Sequence, residues 1–144
     1  MIKDPVALGD ARKGWAAVRG WQEKTVKNLT FAFAGGGILG QAITELPYNL
    51  AFVFAYGVLH DVLGQLRDEG VFPCKRRELG ALMAASQFVL PWADYAQIDK
   101  GRDARNKLAH DAVVVPRGDT FTFVDAIEAE LLAWQILTAP VPWK

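Results

Sequence analysis

An arginine and a histidine lie five positions apart in the polar stretch GRDARNKLAHDA, residues 101–112. Arg105 carries a planar, permanently charged guanidinium that can pair with two phosphate oxygens, whereas His110 titrates near neutral pH and can move a proton. Asn106, between them, could orient the imidazole or donate a hydrogen bond to a phosphate oxygen. These residue types predict general acid–base cleavage of a phosphodiester.

The polar residues around this pair have helical spacing. On an α-helix one narrow stripe would contain Asp99, Asp103, Asn106 and His110. The opposite side would bury its apolar and small residues, so the helix would pack on one side and present the polar stripe on the other. The carboxylate of Asp103, or that of Asp111, could favour the charged form of the imidazole.

The same residues make a poor metal site. Metal binding calls for several histidines or closely spaced carboxylates. This stretch offers too few such ligands, namely Asp99, Asp103 and His110. Without a metal, the simplest nucleophile is the ribose 2′-hydroxyl, which RNA has and DNA lacks. We therefore expect an enzyme that acts on RNA without a metal or another cofactor.

The composition of the chain limits the classes of protein that it can belong to. The chain has 144 residues, 51% of them hydrophobic, and its 16 basic residues balance its 16 acidic ones. It can therefore bury a sizeable core as one domain, and RNA binding must come from a local patch or a dimer groove. The single cysteine, Cys74, excludes an internal disulfide. Because the first residues do not show a basic start followed by an apolar run, we expect a cytoplasmic protein.

Proline, glycine and capping signals divide the chain into helical segments. Gly35, Gly36 and Gly37 predict a bend, and Thr44 predicts the cap of a new helix whose first turn contains Pro47. The five main predicted helices cover about 5–29, 45–69, 76–88, 92–112 and 126–139, and a short helical piece at 38–43 precedes the second.

Before the last predicted helix, the runs VVV and TFTFV flank the turn PRGD. Their β-branched and aromatic residues predict a short hairpin or extended loop, and Asp125 with Glu128 resembles a capping box. The predicted fold is an all-α bundle of four or five helices. It forms a single domain, 1–144, with an N-terminal helical region at 1–44 and a core bundle at 45–138.

The sequence RNKLAH, Arg105 to His110, resembles the R-(N/D/H)-x-x-x-H motif of the HEPN superfamily (higher eukaryotes and prokaryotes nucleotide-binding). These proteins are all-α, and many are metal-independent ribonucleases of toxin, defence or RNA-processing systems. The resemblance rests on this one motif and on its setting between two helices. It implies that Arg105 contacts phosphate and stabilises the transition state, that His110 is the catalytic base or acid, and that Asn106 completes the motif.

In similar proteins two copies of the motif usually meet across a homodimer interface. Such a dimer would bring Arg102, Arg105 and Lys107 of both subunits together, and Arg102, Lys107 and Asp103 are the expected substrate-binding residues beside the catalytic three. The expected products carry a 2′,3′-cyclic phosphate and a 5′-hydroxyl. HEPN toxins paired with a nucleotidyltransferase antitoxin often have Tyr two residues after the motif histidine, where this chain has Ala112. The resemblance also implies an antitoxin or other protein partner, but not one that acts at such a tyrosine.

Other interpretations stay open. Arg105 and His110 could simply interact with the last carbonyls of a helix. The chain could be a non-catalytic helical module that binds RNA, a nucleotide or a protein, or a membrane-associated protein whose region 28–59 docks or inserts. We expect no stable membrane insertion, because glycines and polar residues interrupt that region. His60 is expected at the edge of the core, and the basic run KRRE, 75–78, in a solvated turn or against a partner.

Overall fold

The fold is known from a computed structural model that describes residues 1–32 and 38–143, with the side chains of all of these except 28–32 and 38–44. Five helices follow one another: α1 (Pro5–Ala32), α2 (Ile38–Asp68), α3 (Leu79–Ser86), α4 (Tyr95–Asp111) and α5 (Arg117–Ala133). The described residues include no strand. The prediction of an all-α bundle of four or five helices is therefore confirmed. The bend predicted at 35–37 lies outside the described residues.

Helix α2 is the centre of the bundle, and each of the other four helices packs against it. Its buried side chains recur at helical spacing, which explains why one long helix can serve four neighbours. They include Phe52, Ala55, Tyr56, Leu59, Val62, Leu63 and Leu66. The helical spacing of its apolar residues predicts that Leu50 and Phe54 also face the core, but they are 47% and 54% exposed. Both lie on the far side of the helix from the core.

The helix break predicted at Thr44 was wrong. Helix α2 runs without interruption from residue 38 to residue 68 and contains Pro47 in its interior. The carbonyl oxygen of Pro47 accepts a hydrogen bond from the Trp21 indole nitrogen at 3.2 Å, so α1 contacts the helix at the proline. Proline disfavours the interior of a helix. At Pro47 the helix nevertheless continues, and tertiary contacts are present at and after this residue.

The hairpin predicted before the last helix was also wrong. Residues 112–116 form a short loop, and α5 already begins at Arg117, so the TFTFV run is helical. Thr120, Phe123, Val124 and Ile127 are buried. Their spacing is that of one helix face, and burial of that face outweighs the β-propensity of the individual residues.

The predicted capping box at Asp125 and Glu128 was wrong for the same reason, since both lie inside α5. They pair instead with Arg19 of α1, at 2.8 Å and 3.0 Å respectively. The indole nitrogen of Trp15 also donates to Glu128, at 2.6 Å. This buried cluster joins the first helix to the last.

One described segment, Glu45–Asp68 of α2, is long and apolar enough to cross a membrane by length and composition alone. Half of its most apolar window is buried inside the bundle. The core helix of a soluble bundle passes the same test.

Candidate functional site

The motif lies on α4, whose two ends are held by specific contacts. At the start, the Asp94 side chain accepts a hydrogen bond from the Gln97 amide at 3.1 Å. Both oxygens of the buried Glu130 carboxylate accept the Ala93 amide, and one of them also accepts the Asp94 amide. At the end, Ala112 adopts a left-handed conformation with φ of 54° and its amide donates to the Lys107 carbonyl. The start of the motif helix is therefore fixed to α5, and its end is closed by a local cap.

The middle of α4 lies directly on α2 because residue 101 is a glycine. A Cβ atom at Gly101 would clash with the Tyr56 hydroxyl and lie 2.8 Å from the Phe123 ring. The Tyr56 hydroxyl donates to the Ile98 carbonyl at 2.7 Å, and burial raises the pKa of Tyr56, so the hydroxyl keeps its proton. Ile98 and Gly101 are buried, as the helical spacing predicts.

Arg105 lies one turn beyond this contact and partly inside the bundle. Its guanidinium carbon is 5.9 Å from the centroid of the Tyr56 ring, which is cation–π distance. Its Nη2 donates to the Asn106 side-chain oxygen at 3.3 Å. Burial lowers the pKa of Arg105, and the nearby charge of Arg102 lowers it further, although the guanidinium remains charged at neutral pH.

The three cations singled out by the sequence differ in their partners. Arg102 pairs with Asp99 at 2.8 Å, and Lys107 pairs with Asp103 at 3.1 Å, both within α4. Among the described residues no carboxylate lies within 4.0 Å of Arg105. Arg102 and Lys107 thus each pair with a carboxylate of their own helix, while Arg105 has the Asn106 amide and the Tyr56 ring as its neighbours.

His110 lies in the exposed last turn of α4. Its side chain makes no hydrogen bond or ion pair with any residue in the described part of the chain. Residues five apart on a helix point about 140° apart. The structure therefore brings Arg105 and Asn106 together but places His110 on a different side of the same helix.

A pocket of about 230 Å³ lies beside the motif and was not expected from the sequence. It is bounded by α4, the 112–116 loop and the start of α5. Its lining is Lys100, Asp103, Ala104, Lys107, Val113, Val114, Val115, Pro116, Asp119 and Phe123. Two of the predicted substrate-binding residues, Asp103 and Lys107, contribute to it, whereas Arg102 does not. The helical spacing of residues 100, 103, 104 and 107 indicates from the sequence only that they share one face of the motif helix.

One wall of the pocket is held by a buried asparagine. The side-chain nitrogen of Asn49 donates to the Val115 carbonyl at 2.8 Å, and its oxygen accepts the Val115 amide at 2.7 Å. The same nitrogen donates to the Glu45 carbonyl at 2.9 Å. Because both polar groups of the Val115 backbone are engaged, the loop has a defined conformation over α4.

The other histidine has a structural contact. His60 is partly buried on α2, and its Nε2 donates to the Arg77 carbonyl at 2.6 Å, which ties the helix to the turn before α3. That turn contains the exposed basic run 75–78, where Arg76 pairs with Glu78 at 3.2 Å. Helix α3 is shorter than predicted and begins only after this run.

In the described residues no three His, Cys, Asp or Glu side chains are grouped to hold a metal ion. Comparison with protein-family models, curated proteins and solved structures finds no match to this chain. The site is therefore described by its own geometry: an unneutralised arginine beside an asparagine, an exposed histidine, and an adjoining pocket with two lysines.

Proposed function

We propose that this protein is a HEPN-like, metal-independent endoribonuclease that uses Arg105, Asn106 and His110. The single observation that carries the proposal is the charge of Arg105, which no carboxylate of the described residues neutralises and which burial partly removes from water. A partly buried cation without an anionic partner interacts strongly with an incoming phosphate. Its two neighbouring cations, Arg102 and Lys107, have such partners.

The proposed reaction is an attack of the ribose 2′-oxygen on the adjacent phosphorus. A base removes the proton of the 2′-hydroxyl, the bond from phosphorus to the 5′-oxygen breaks, and an acid protonates the leaving oxygen. His110 supplies one of these proton transfers, which its exposure permits. Arg105 pairs with the phosphate oxygens as negative charge accumulates on them.

We propose that a second copy of the chain completes the site. Within one chain Arg105 and His110 point in different directions, so a single copy presents only one of them to a given phosphate. An exposed strip on α2 supports self-association, since Leu46, Leu50 and Phe54 recur four residues apart and are about half exposed. Such uncovered apolar strips are typical of protein interfaces. A Phe54→Glu variant should be monomeric by analytical ultracentrifugation and should lose cleavage.

The experiment is incubation of purified protein with total RNA in excess EDTA, followed by mapping of the new ends. Wild type should release fragments with cyclic phosphate and 5′-hydroxyl ends. His110→Ala should lower the rate by about 10²–10⁴-fold, the usual contribution of a general acid or base. His60→Gln is the matched control, because it changes the other histidine of the chain and should cleave like wild type.

The alternative is a non-catalytic module, which the separation of Arg105 and His110 within one chain would favour if the protein is monomeric. In that case wild type and His110→Ala both leave RNA intact, while Arg105→Ala weakens binding of a labelled single-stranded RNA. Equal cleavage by wild type and His110→Ala would instead indicate a contaminating nuclease and contradict the catalytic assignment.

A further inference from the structure

We infer that the pocket between α4 and the 112–116 loop is a nucleotide subsite that holds one base and its phosphate. This inference rests on the proposed function, since it extends the same site from the motif to the nucleotide beside it. It further predicts that bases with an exocyclic amino group bind better than uracil.

The pocket matches a nucleobase in size and in surface. Its volume of about 230 Å³ accommodates a base with part of its ribose, below the range of drug-sized sites. Its floor is apolar, with the Phe123 ring and the Ala104 methyl group, and its loop side consists of Val113 and Val114. A planar ring between this floor and the loop side can contact apolar groups on both faces without requiring hydrogen bonds.

The pocket is also formed before any ligand arrives. Asn49 fixes the Val115 backbone through its carbonyl and its amide, at 2.8 Å and 2.7 Å. Phe123 is 5% exposed and belongs to the hydrophobic core, so it cannot turn away from the floor. A preformed pocket loses little entropy on binding, which favours recognition of a small ligand.

The rim contains groups for both ends of a nucleotide. Lys100 and Lys107 line one edge, seven residues apart on the same helix face, and can contact a phosphate, while Asp103 between them pairs with Lys107. Asp119 lines the opposite edge and forms no ion pair with any described residue. A carboxylate only accepts hydrogen bonds, so it pairs with the amino groups of adenine, cytosine or guanine but not with the corresponding carbonyl of uracil.

The position of His110 links the pocket to the proposed reaction. His110 follows Lys107 by three residues and points to nearly the same side of α4, about 60° away around the helix. A phosphate held at Lys107 therefore lies beside the imidazole. Lys107 is paired with Asp103 at 3.1 Å, and this exposed pair is weak enough for a phosphate to compete with it.

The test measures binding of cytidine 3′-monophosphate, uridine 3′-monophosphate and inorganic phosphate to the full chain by calorimetry. We expect the cytidine nucleotide to bind at least about tenfold more tightly than the uridine nucleotide and than inorganic phosphate. Ala104→Leu fills the floor and should weaken cytidine nucleotide binding at least about tenfold. Ala129→Leu, the same change at an exposed position of α5 outside the pocket, should bind like wild type.

A second variant keeps the test valid if Ala104→Leu fails to fold. Asp119→Asn introduces an amide that can donate to the uracil carbonyl, so the ratio of cytidine to uridine nucleotide affinity should fall towards one. Equal affinity of wild type for both nucleotides and for phosphate would overturn the inference. So would unchanged binding in a folded Ala104→Leu protein.

Failure of the inference and failure of the proposed function give different results. If the protein cleaves RNA in a His110-dependent manner but binds the two nucleotides equally, the ribonuclease proposal is supported and the base-pocket inference is contradicted. If the nucleotides bind as expected and RNA remains intact, the base-pocket inference is supported and the ribonuclease proposal is contradicted. If both stand, the mapped cleavage sites should avoid uracil at one fixed position, and Asp119→Asn should reduce that bias.

Discussion

Gly101 of α4 faces the hydroxyl of Tyr56 on α2 so closely that a Cβ atom at residue 101 would clash with the hydroxyl oxygen. The hydroxyl uses this space to donate to the Ile98 carbonyl at 2.7 Å. One glycine thus sets the separation of the central helix from the motif helix, and the Tyr56 ring that fills the gap also lies 5.9 Å from the Arg105 guanidinium carbon. The Tyr56 ring therefore belongs both to the packing of α2 against α4 and to the candidate site.

Gly101→Ala should therefore destabilise the protein although alanine is the better helix former. The added methyl group must displace Tyr56 or Phe123, which costs about 1–3 kcal/mol in a packed interior. Gly57→Ala is the matched control, because residue 57 is exposed on α2 with open space around it, and it should stabilise by about 0.5–1 kcal/mol. Urea unfolding measures both changes. A Gly101→Ala protein as stable as wild type would contradict the packing argument.

Asn49→Leu should weaken the wall of the pocket. The substitution leaves the amide and the carbonyl of Val115 without their partners in a buried position, at a cost of about 2–4 kcal/mol. Val114→Ala, in the same loop but 41% exposed, should change the free energy of unfolding by less than about 0.5 kcal/mol. Amide hydrogen exchange should show faster exchange in the 112–116 loop for Asn49→Leu alone. Unchanged exchange at Val115 would show that the loop does not depend on this side chain.

Sequence periodicity predicted the motif helix well because its inward face follows the 3.6-residue repeat, and Ile98 and Gly101 are buried as expected. The same periodicity was present at Thr120, Phe123 and Val124, but the β-propensity of these residues suggested a hairpin instead. Propensity is a weak guide where tertiary burial decides the conformation. The spacing of buried positions was the better signal.

The pocket could not be predicted from local sequence. Its wall depends on a contact between Asn49 and Val115, which are 66 residues apart, and nothing near either residue indicates the other. The ion pair between Arg102 and Asp99, by contrast, has i,i+3 spacing and is a local consequence of the helix. Local pairs therefore follow from the sequence, whereas the lack of a carboxylate partner at Arg105 among the described residues can be seen only in the fold.

Removing one charge of the buried ion pair between Arg19 and Glu128 should lower the stability of the protein more than removing both charges. Arg19→Met leaves the Glu128 carboxylate, in a residue that is 7% exposed, without its cation and should cost about 3–5 kcal/mol. Glu128→Gln in the same background removes the isolated charge and keeps an acceptor for the Trp15 indole nitrogen. The double variant should therefore be more stable than Arg19→Met alone. A double-mutant cycle in urea measures this, and strictly additive losses would contradict it.

Glu130 should give the protein a pH-dependent stability that acts at the start of the motif helix. Burial raises the pKa of its carboxyl group, while hydrogen bonds from the Ala93 and Asp94 amides oppose the shift and the Asp94 charge adds to it. Because the pKa is higher in the folded state than in the unfolded chain, Glu130 contributes stability that is fully present below the ordinary glutamate pKa. This contribution is lost as the pH rises through the raised value.

Glu130→Gln should remove that slope while retaining one acceptor for the Ala93 amide. Urea unfolding of wild type and variant across the acidic range should show the difference between their unfolding free energies changing with pH only in the window above the ordinary glutamate pKa. Glu23→Gln is the control, since Glu23 lies on the surface and pairs with Lys27 at 2.7 Å. Parallel pH profiles for wild type and Glu130→Gln would mean that the carboxyl group titrates alike in the folded and unfolded chains.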